Sequence, residues 1–392
     1  MINQAALELG TERSCIRQLF EYGLSRAKIV GPENVYDFSL GNPSIPAPKE
    51  VKEALLALLE EESSLSLHGY TTAAGLPETR QAIARDLNRR FGAQVRPEDL
   101  FITGGAAPAL CAVMKALQKE NSEVIALCPY FPEYKPFAQM AGQNFVTVEA
   151  NLPDFSLPLE GLEKAITPNT AAIIINAPNN PSGVIYSREN LEALAGLLTR
   201  KEEEVGHPIY LLSDEPYREL VYEGAEVPFL PGIYKNTVIC YSYSKCLSLP
   251  GERIGYVYVN QFADNAPALY AAVAGAARSM GHVCAPSLMQ KVIARCAGVG
   301  PDLSAYDKNR KALYEGLKAL GYEMPKPQGA FYLLVKAPGG DAAAFSERAK
   351  QLDLLVVPGD DFGIPGYFRL CYCVDYEKIV GSLPLFKKLL CP

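Results

Sequence analysis

Five short runs of almost unbroken apolar character constrain this chain more than any other feature: EVIALC at 123–128, AAIIINA at 171–177, IYLLSD at 209–214, NTVICYSYS at 236–244 and RIGYVYV at 253–259. Strands of this kind are buried on both faces, as in a largely parallel sheet covered by helices. Longer helical patterns lie between and before them. SRENLEALAGLLTRKEEE at 187–204 is one; PKEVKEALLALLEEE at 48–62 is another, with Val51, Leu55, Leu56, Leu58 and Leu59 near helical spacing behind a proline start. The alternation predicts an α/β fold.

The C-terminal third changes character. Residues 304–320 carry a charged helical pattern, and GAFYLLV (329–335), LLVVPG (354–359) and YFRLCYC (367–373) read as strands. A second, smaller α+β lobe is expected, and 392 residues with 48% hydrophobic content suffice for two cores. No glycine-rich linker separates the lobes, so they should share a broad contact with a cleft between them. The expected division is a large lobe over 48–285 and a small lobe formed by 1–47 with 286–392.

A net charge of −7 argues against general affinity for nucleic acid, which depends on clustered Lys and Arg. No run of about 18 apolar residues occurs, so no membrane span is expected. The N-terminal MINQAALELGTERSC lacks the layout of a secretory signal, and a cytoplasmic location is expected. The ten cysteines are scattered and should be reduced thiols; only Cys371 and Cys373 stand close together. The three histidines, His68, His207 and His282, have no ligand spacing, so no metal site is expected.

Several strand candidates end in polar residues, and in open α/β sheets ligands bind beyond the carboxyl ends of the strands. AAIIINA runs into Asn179-Asn180-Pro181-Ser182-Gly183. IYLLSD ends at Asp214, three residues before Tyr217, and NTVICYSYS ends at Ser242, Ser244 and Lys245. The turn ITGGAAPAL (102–110) precedes a helix, and Gly105, Ala106 and Ala107 leave backbone N–H groups open to an anion. A lysine amine attacks a carbonyl when deprotonated, and burial beside a cation such as Arg253 lowers its pKa. Two serines, that guanidinium and the helix N-terminus form a phosphate cup. An aldehyde carrying a phosphate satisfies both halves, and pyridoxal phosphate is such a molecule; its ring nitrogen needs a carboxylate, which Asp214 can supply. Taken singly, each residue has a plainer reading: a surface lysine, an N-capping aspartate, a tight turn. Their conjunction favours the site.

These residues resemble the class I/II aminotransferase family of fold-type I pyridoxal-phosphate enzymes over nearly the whole chain. Ser242-Tyr243-Ser244-Lys245 with Gly251-Glu252-Arg253-Ile254-Gly255 is similar to the family's lysine signature, Asn180-Pro181-Ser182-Gly183 to its N-P-S/T-G loop, and Asp214-Glu215-Pro216-Tyr217 to its D-x-x-Y. The resemblance implies a seven-stranded, mostly parallel sheet and a homodimer in which Tyr70, from HGYTTAAGLPETR, enters the neighbouring site. It implies a stacking ring at Phe131 in PYFPEY, with Tyr130 and Tyr134 as alternatives. It places the substrate α-carboxylate on Arg369 in YFRLCYC, near Gly41 in SLGNP. Ser182 and Phe131 depart from the commoner Thr and Tyr/Trp but keep the hydroxyl and the π-face.

The implied chemistry is transamination: Lys245 holds the cofactor as a Schiff base and, once freed, moves the α-proton, while Asp214, Tyr217 and Asn180 tune the ring. Aspartate with 2-oxoglutarate is the leading substrate pair. Arg278 in GAARSMGHV lies about where dicarboxylate-specific relatives bring an arginine from the partner subunit; the alternative is a solvated helix-surface arginine. A carbon–sulfur β-lyase or cyclopropane-carboxylate synthase would use the same Lys, Asp and Arg. An effector-sensing module is disfavoured, because the roughly 38 residues before SLGNP are not basic.

Overall fold

The computed structural model describes residues 1–11 and 14–390. Seven strands form one sheet: β1 (Leu100–Thr103), β2 (Glu123–Leu127), β3 (Asn144–Val148), β4 (Thr170–Asn176), β5 (Tyr210–Asp214), β6 (Thr237–Ser242) and β7 (Gly255–Val259). Their spatial order is β1-β7-β6-β5-β4-β2-β3. Neighbours run parallel except at β7, which is antiparallel to both β1 and β6.

The apolar runs explain the layering. Every residue of β5, β6 and β7 is buried. Ile174, Leu212 and Val238 pack with helices Ala106–Ala116 and Ala266–Ser279 on one face, while Ile173, Ile175 and Leu211 pack with Leu191, Leu194 and Leu198 of helix Arg188–Val205 on the other. Each such side chain contributes roughly 1.5–3 kcal/mol on burial. Two strands had no signal of this kind. β3 is a partly exposed edge strand with an irregular burial pattern, and β1 is four residues long and runs directly into the glycine turn.

Helix Lys49–Glu61 forms where expected, but its buried stripe is Val51, Ala54 and Leu58, with Leu56 and Leu59 exposed. The small sheet has the order 357–358, 367–371, 332–336 and is antiparallel throughout. Here the expected strands are shorter. Ala330 takes a left-handed φ of 58°, so the strand begins only at Tyr332. The 354–359 run changes partners midway: Leu354–Leu355 pairs in parallel with Tyr36–Asp37, and Val357–Pro358 pairs with Phe368 and Arg369. That first pairing, extended by Cys371 N–H donating to the Phe38 carbonyl, brings the N-terminal segment to the mouth of the cleft.

Candidate active site

Because β4, β5 and β6 are parallel and adjacent, Asn176, Asp214 and Ser242 all emerge at one edge of the sheet. They line a cavity of about 300 Å³ with Gly41, Ala106, Ala107, Phe131, Asn180, Tyr217, Ser244, Lys245, Arg253 and Arg369. Residues from seven stretches of sequence thus meet in one cavity.

Asp214 is 5% exposed. Its Oδ2 accepts a hydrogen bond from the Tyr134 hydroxyl at 2.5 Å, and its Oδ1 has no partner. Burial pushes its pKa up to about 7, against the downward pull of Tyr134. Asn176 supports the carboxylate's backbone, donating to the Asp214 carbonyl at 2.9 Å and accepting from Asn180 N–H at 2.7 Å.

Lys245 Nζ donates to the Gly41 carbonyl at 2.7 Å. Burial lowers its amine pKa; Arg253 and Arg369 act in the same direction, while Cys373 and Cys371 pull it back. The lowering expected from the sequence is present, with burial rather than the cation as its main cause.

Ser242 Oγ donates to Ser244 Oγ at 2.8 Å, and Arg253 Nη1 reaches Ser244 Oγ at 3.4 Å. Helix Ala106–Ala116 starts beside them, behind Gly105 and without a side-chain cap. Gly105 does not itself line the cavity but forms the wall of this cradle. Its φ is +105°, and a Cβ there would stand 3.0 Å from Arg253 Nη2 and 3.4 Å from Ser242 Oγ. The cradle is shaped for an anion with several oxygens.

Arg369 is 1% exposed. Its Nη1 donates to Asn180 Oδ1 at 3.2 Å and its Nη2 to the Ser39 carbonyl, while Nε has no partner. Among the described residues no carboxylate pairs with either Arg253 or Arg369. Two guanidiniums without acids in one cavity call for two anionic groups on the ligands.

The family model described as aminotransferase class I and II matches residues 33–380. The aspartate/prephenate aminotransferase of Thermus thermophilus is 34% identical over 357 residues, 89% of each chain. An aminotransferase crystal structure from Eubacterium rectale is 51% identical and superposes with a TM-score of 0.97, covering 99% of this chain and 98% of that one. The Thermus thermophilus aspartate aminotransferase solved with maleate is 30% identical, with a TM-score of 0.86 over the whole of both chains. The chain belongs to the class I and II aminotransferase family.

As a member of this family it is a pyridoxal-phosphate-dependent aminotransferase. The unpartnered Asp214 Oδ1 and the Gly105 cradle fit that cofactor's ring nitrogen and phosphate. Two expected residues of the aminotransferase lie elsewhere. Tyr70 is 89% exposed, and Arg278 is exposed in the last turn of helix Ala266–Ser279; neither lines the cavity of its own chain. Three contributors were not foreseen in these roles. Tyr134, an alternative stacking ring on the resemblance, instead donates to Asp214. Asn176 carried a signal, a polar residue closing an apolar strand. Tyr332 was not singled out by any motif. Ile16 and Leu40 add apolar wall at the opening.

Proposed function

We propose that this cavity binds pyridoxal phosphate and passes an amino group between an L-amino acid and a 2-oxo acid through the following residues. Lys245 is the residue bonded to the cofactor. Ser242, Ser244, Arg253 and the N–H groups of Ala106 and Ala107 behind Gly105 take the phosphate. Phe131 offers its aromatic face, Asp214 Oδ1 takes the ring nitrogen's hydrogen bond, and Tyr217 and Asn180 take the ring oxygen. Arg369, beside the Gly41 turn, takes the substrate α-carboxylate. When bound, the cofactor supplies an electrophilic carbon and a ring that absorbs the electron pair left at the α-carbon. Lys245 Nζ, whose burial favours the neutral amine, carries the proton between them.

The observation that carries this reading is Asp214, a buried carboxyl with one oxygen left unpartnered in the same cavity as Lys245. Borohydride reduction of the holoenzyme followed by peptide mapping should label Lys245; a label on another lysine overturns the assignment. Mixing the holoenzyme with single amino acids, with absorbance followed, ranks the substrates. Pyruvate formed from cystathionine without an oxo-acid acceptor would point to lyase chemistry instead.

Aspartate with 2-oxoglutarate is the pair this reading favours; the name of the Thermus thermophilus relative, aspartate/prephenate aminotransferase, supports the aspartate half. Tyr70 and Arg278, exposed on their own chain, would serve this chemistry from the partner subunit of a homodimer with shared sites. A cytoplasmic location belongs to the same reading; among the described residues no helix is long and apolar enough to cross a membrane. So does the division into lobes of 48–285 and of 1–47 with 286–392, supported by the seven-stranded sheet lying within the first and the three-stranded sheet within the second.

A further inference from the structure

The hydroxyl of Tyr332 sits where three parts of the site meet. It lies 2.8 Å from the Tyr217 hydroxyl, and the Arg369 guanidinium stands over its ring at 4.8 Å. A Cβ on Gly41 would fall 2.1 Å from its oxygen, so the glycine turn leaves the space that this hydroxyl fills. Its strand sets the placement: Tyr332 is paired with Cys371, on the same face of the small sheet as Arg369.

Counting hydrogens then narrows what the pair can do. Burial raises the pKa of both phenols, so each keeps its hydrogen at neutral pH. One hydrogen makes the bond between them. The other has no acceptor among the described residues. Were Tyr217 the donor, it would have nothing to offer a ligand; with Tyr332 as donor, the Tyr217 hydrogen is free for the cavity.

We propose that Tyr332 is a positioning residue, donating its hydroxyl hydrogen to Tyr217 and so directing the Tyr217 hydrogen to the cofactor's ring oxygen. The inference rests on the role given to Tyr217 above. A hydroxyl that accepts a hydrogen bond is a stronger donor in its turn. Stronger donation stabilises negative charge on the ring oxygen, which would be greatest when Lys245 Nζ, joined to the cofactor, has lost its proton. Tyr332 therefore holds the pKa of that nitrogen down.

The test is a pH titration of the holoenzyme's visible absorbance in wild type, Tyr332→Phe, Tyr217→Phe and the double variant. Tyr332→Phe should raise the midpoint by about 0.5–1 pH unit, the scale of one neutral hydrogen bond. It should have no further effect in the Tyr217→Phe background. An unshifted midpoint, or an equal shift in both backgrounds, overturns the proposal. Should Tyr332→Phe fail to hold the cofactor, Gly41→Ala displaces the hydroxyl without deleting it; the same upward shift is expected, and an unchanged midpoint overturns the proposal. Failure of the underlying reading would look different: borohydride would leave Lys245 unlabelled, whatever the midpoint did.

Discussion

Two fully buried arginines in this chain show what a guanidinium out of water requires. Arg310 has Glu223 at 2.6 Å and Asp307 at 2.8 Å, whereas Arg369 has a backbone carbonyl, an amide oxygen and no acid. Asp214 is the complementary case, a buried carboxyl without a cation. Its raised pKa sets the direction of a pH effect. Between about pH 4 and 7 the folded, cofactor-free chain keeps a proton on Asp214 that the unfolded chain has released. Stability should therefore fall as pH rises through that window and level off above it. Asp214→Asn should remove this part of the slope, on the order of a few kcal/mol. Chemical denaturation of both cofactor-free proteins at pH 5 and pH 8 measures it; identical slopes would refute the assignment. The places of Asp214 and Lys245 were legible in the sequence because charged groups ending apolar strands demand explanation; Arg253 was read as the cation near that lysine, and Arg369, in the middle of its strand, followed only from the family resemblance. Tyr332 was not legible, because a tyrosine opening an apolar strand reads as core and its partner hydroxyl lies 115 residues away.

At the scale of elements, the site follows from three adjacent parallel strands: two stop in register, Asn176 opposite Asp214, and the third runs two residues past Cys240, the partner of Asp214, to end at Ser242. That much was readable from where each apolar run ended. The antiparallel placement of β7 was not, since strand direction depends on which neighbours pair. The edge strand β3 escaped because a half-exposed strand needs no continuous apolar run. The helix behind Gly105 offers the sharpest test of an element's role. A methyl group at that position would meet Arg253 Nη2 at 3.0 Å, on a backbone with φ of +105°. Gly105→Ala should weaken binding of pyridoxal phosphate about ten- to a hundredfold, from roughly 1–3 kcal/mol of strain. Binding of pyridoxal, which lacks the phosphate, should change much less. Titrating the cofactor-free protein with each compound decides; equal losses would place the damage outside the cradle.

For the whole molecule, the exposed positions of Tyr70 and Arg278 make assembly the question. If Tyr70 completes the neighbouring site, a hybrid of a Tyr70→Phe chain with a Lys245→Ala chain gathers both defects in one site and leaves the other intact. Activity per intact Lys245 should then return to the wild-type level in the isolated hybrid, and to about half of it in an equimolar exchange mixture, measured against either homodimer alone. No recovery would mean that each chain works with its own residues. The carbonyls of Ser39 and Gly41 already hold Arg369 and Lys245. Arg369 was thus stripped of water when the chain folded, and Lys245 is largely shielded from it. An arriving carboxylate or carbonyl carbon meets groups whose directions are set and, for Arg369, whose dehydration is complete, so little of its binding energy goes into rearranging solvent or side chains. Two backbone oxygens act as stand-ins, keeping the basic groups in place until the ligand's own oxygens replace them.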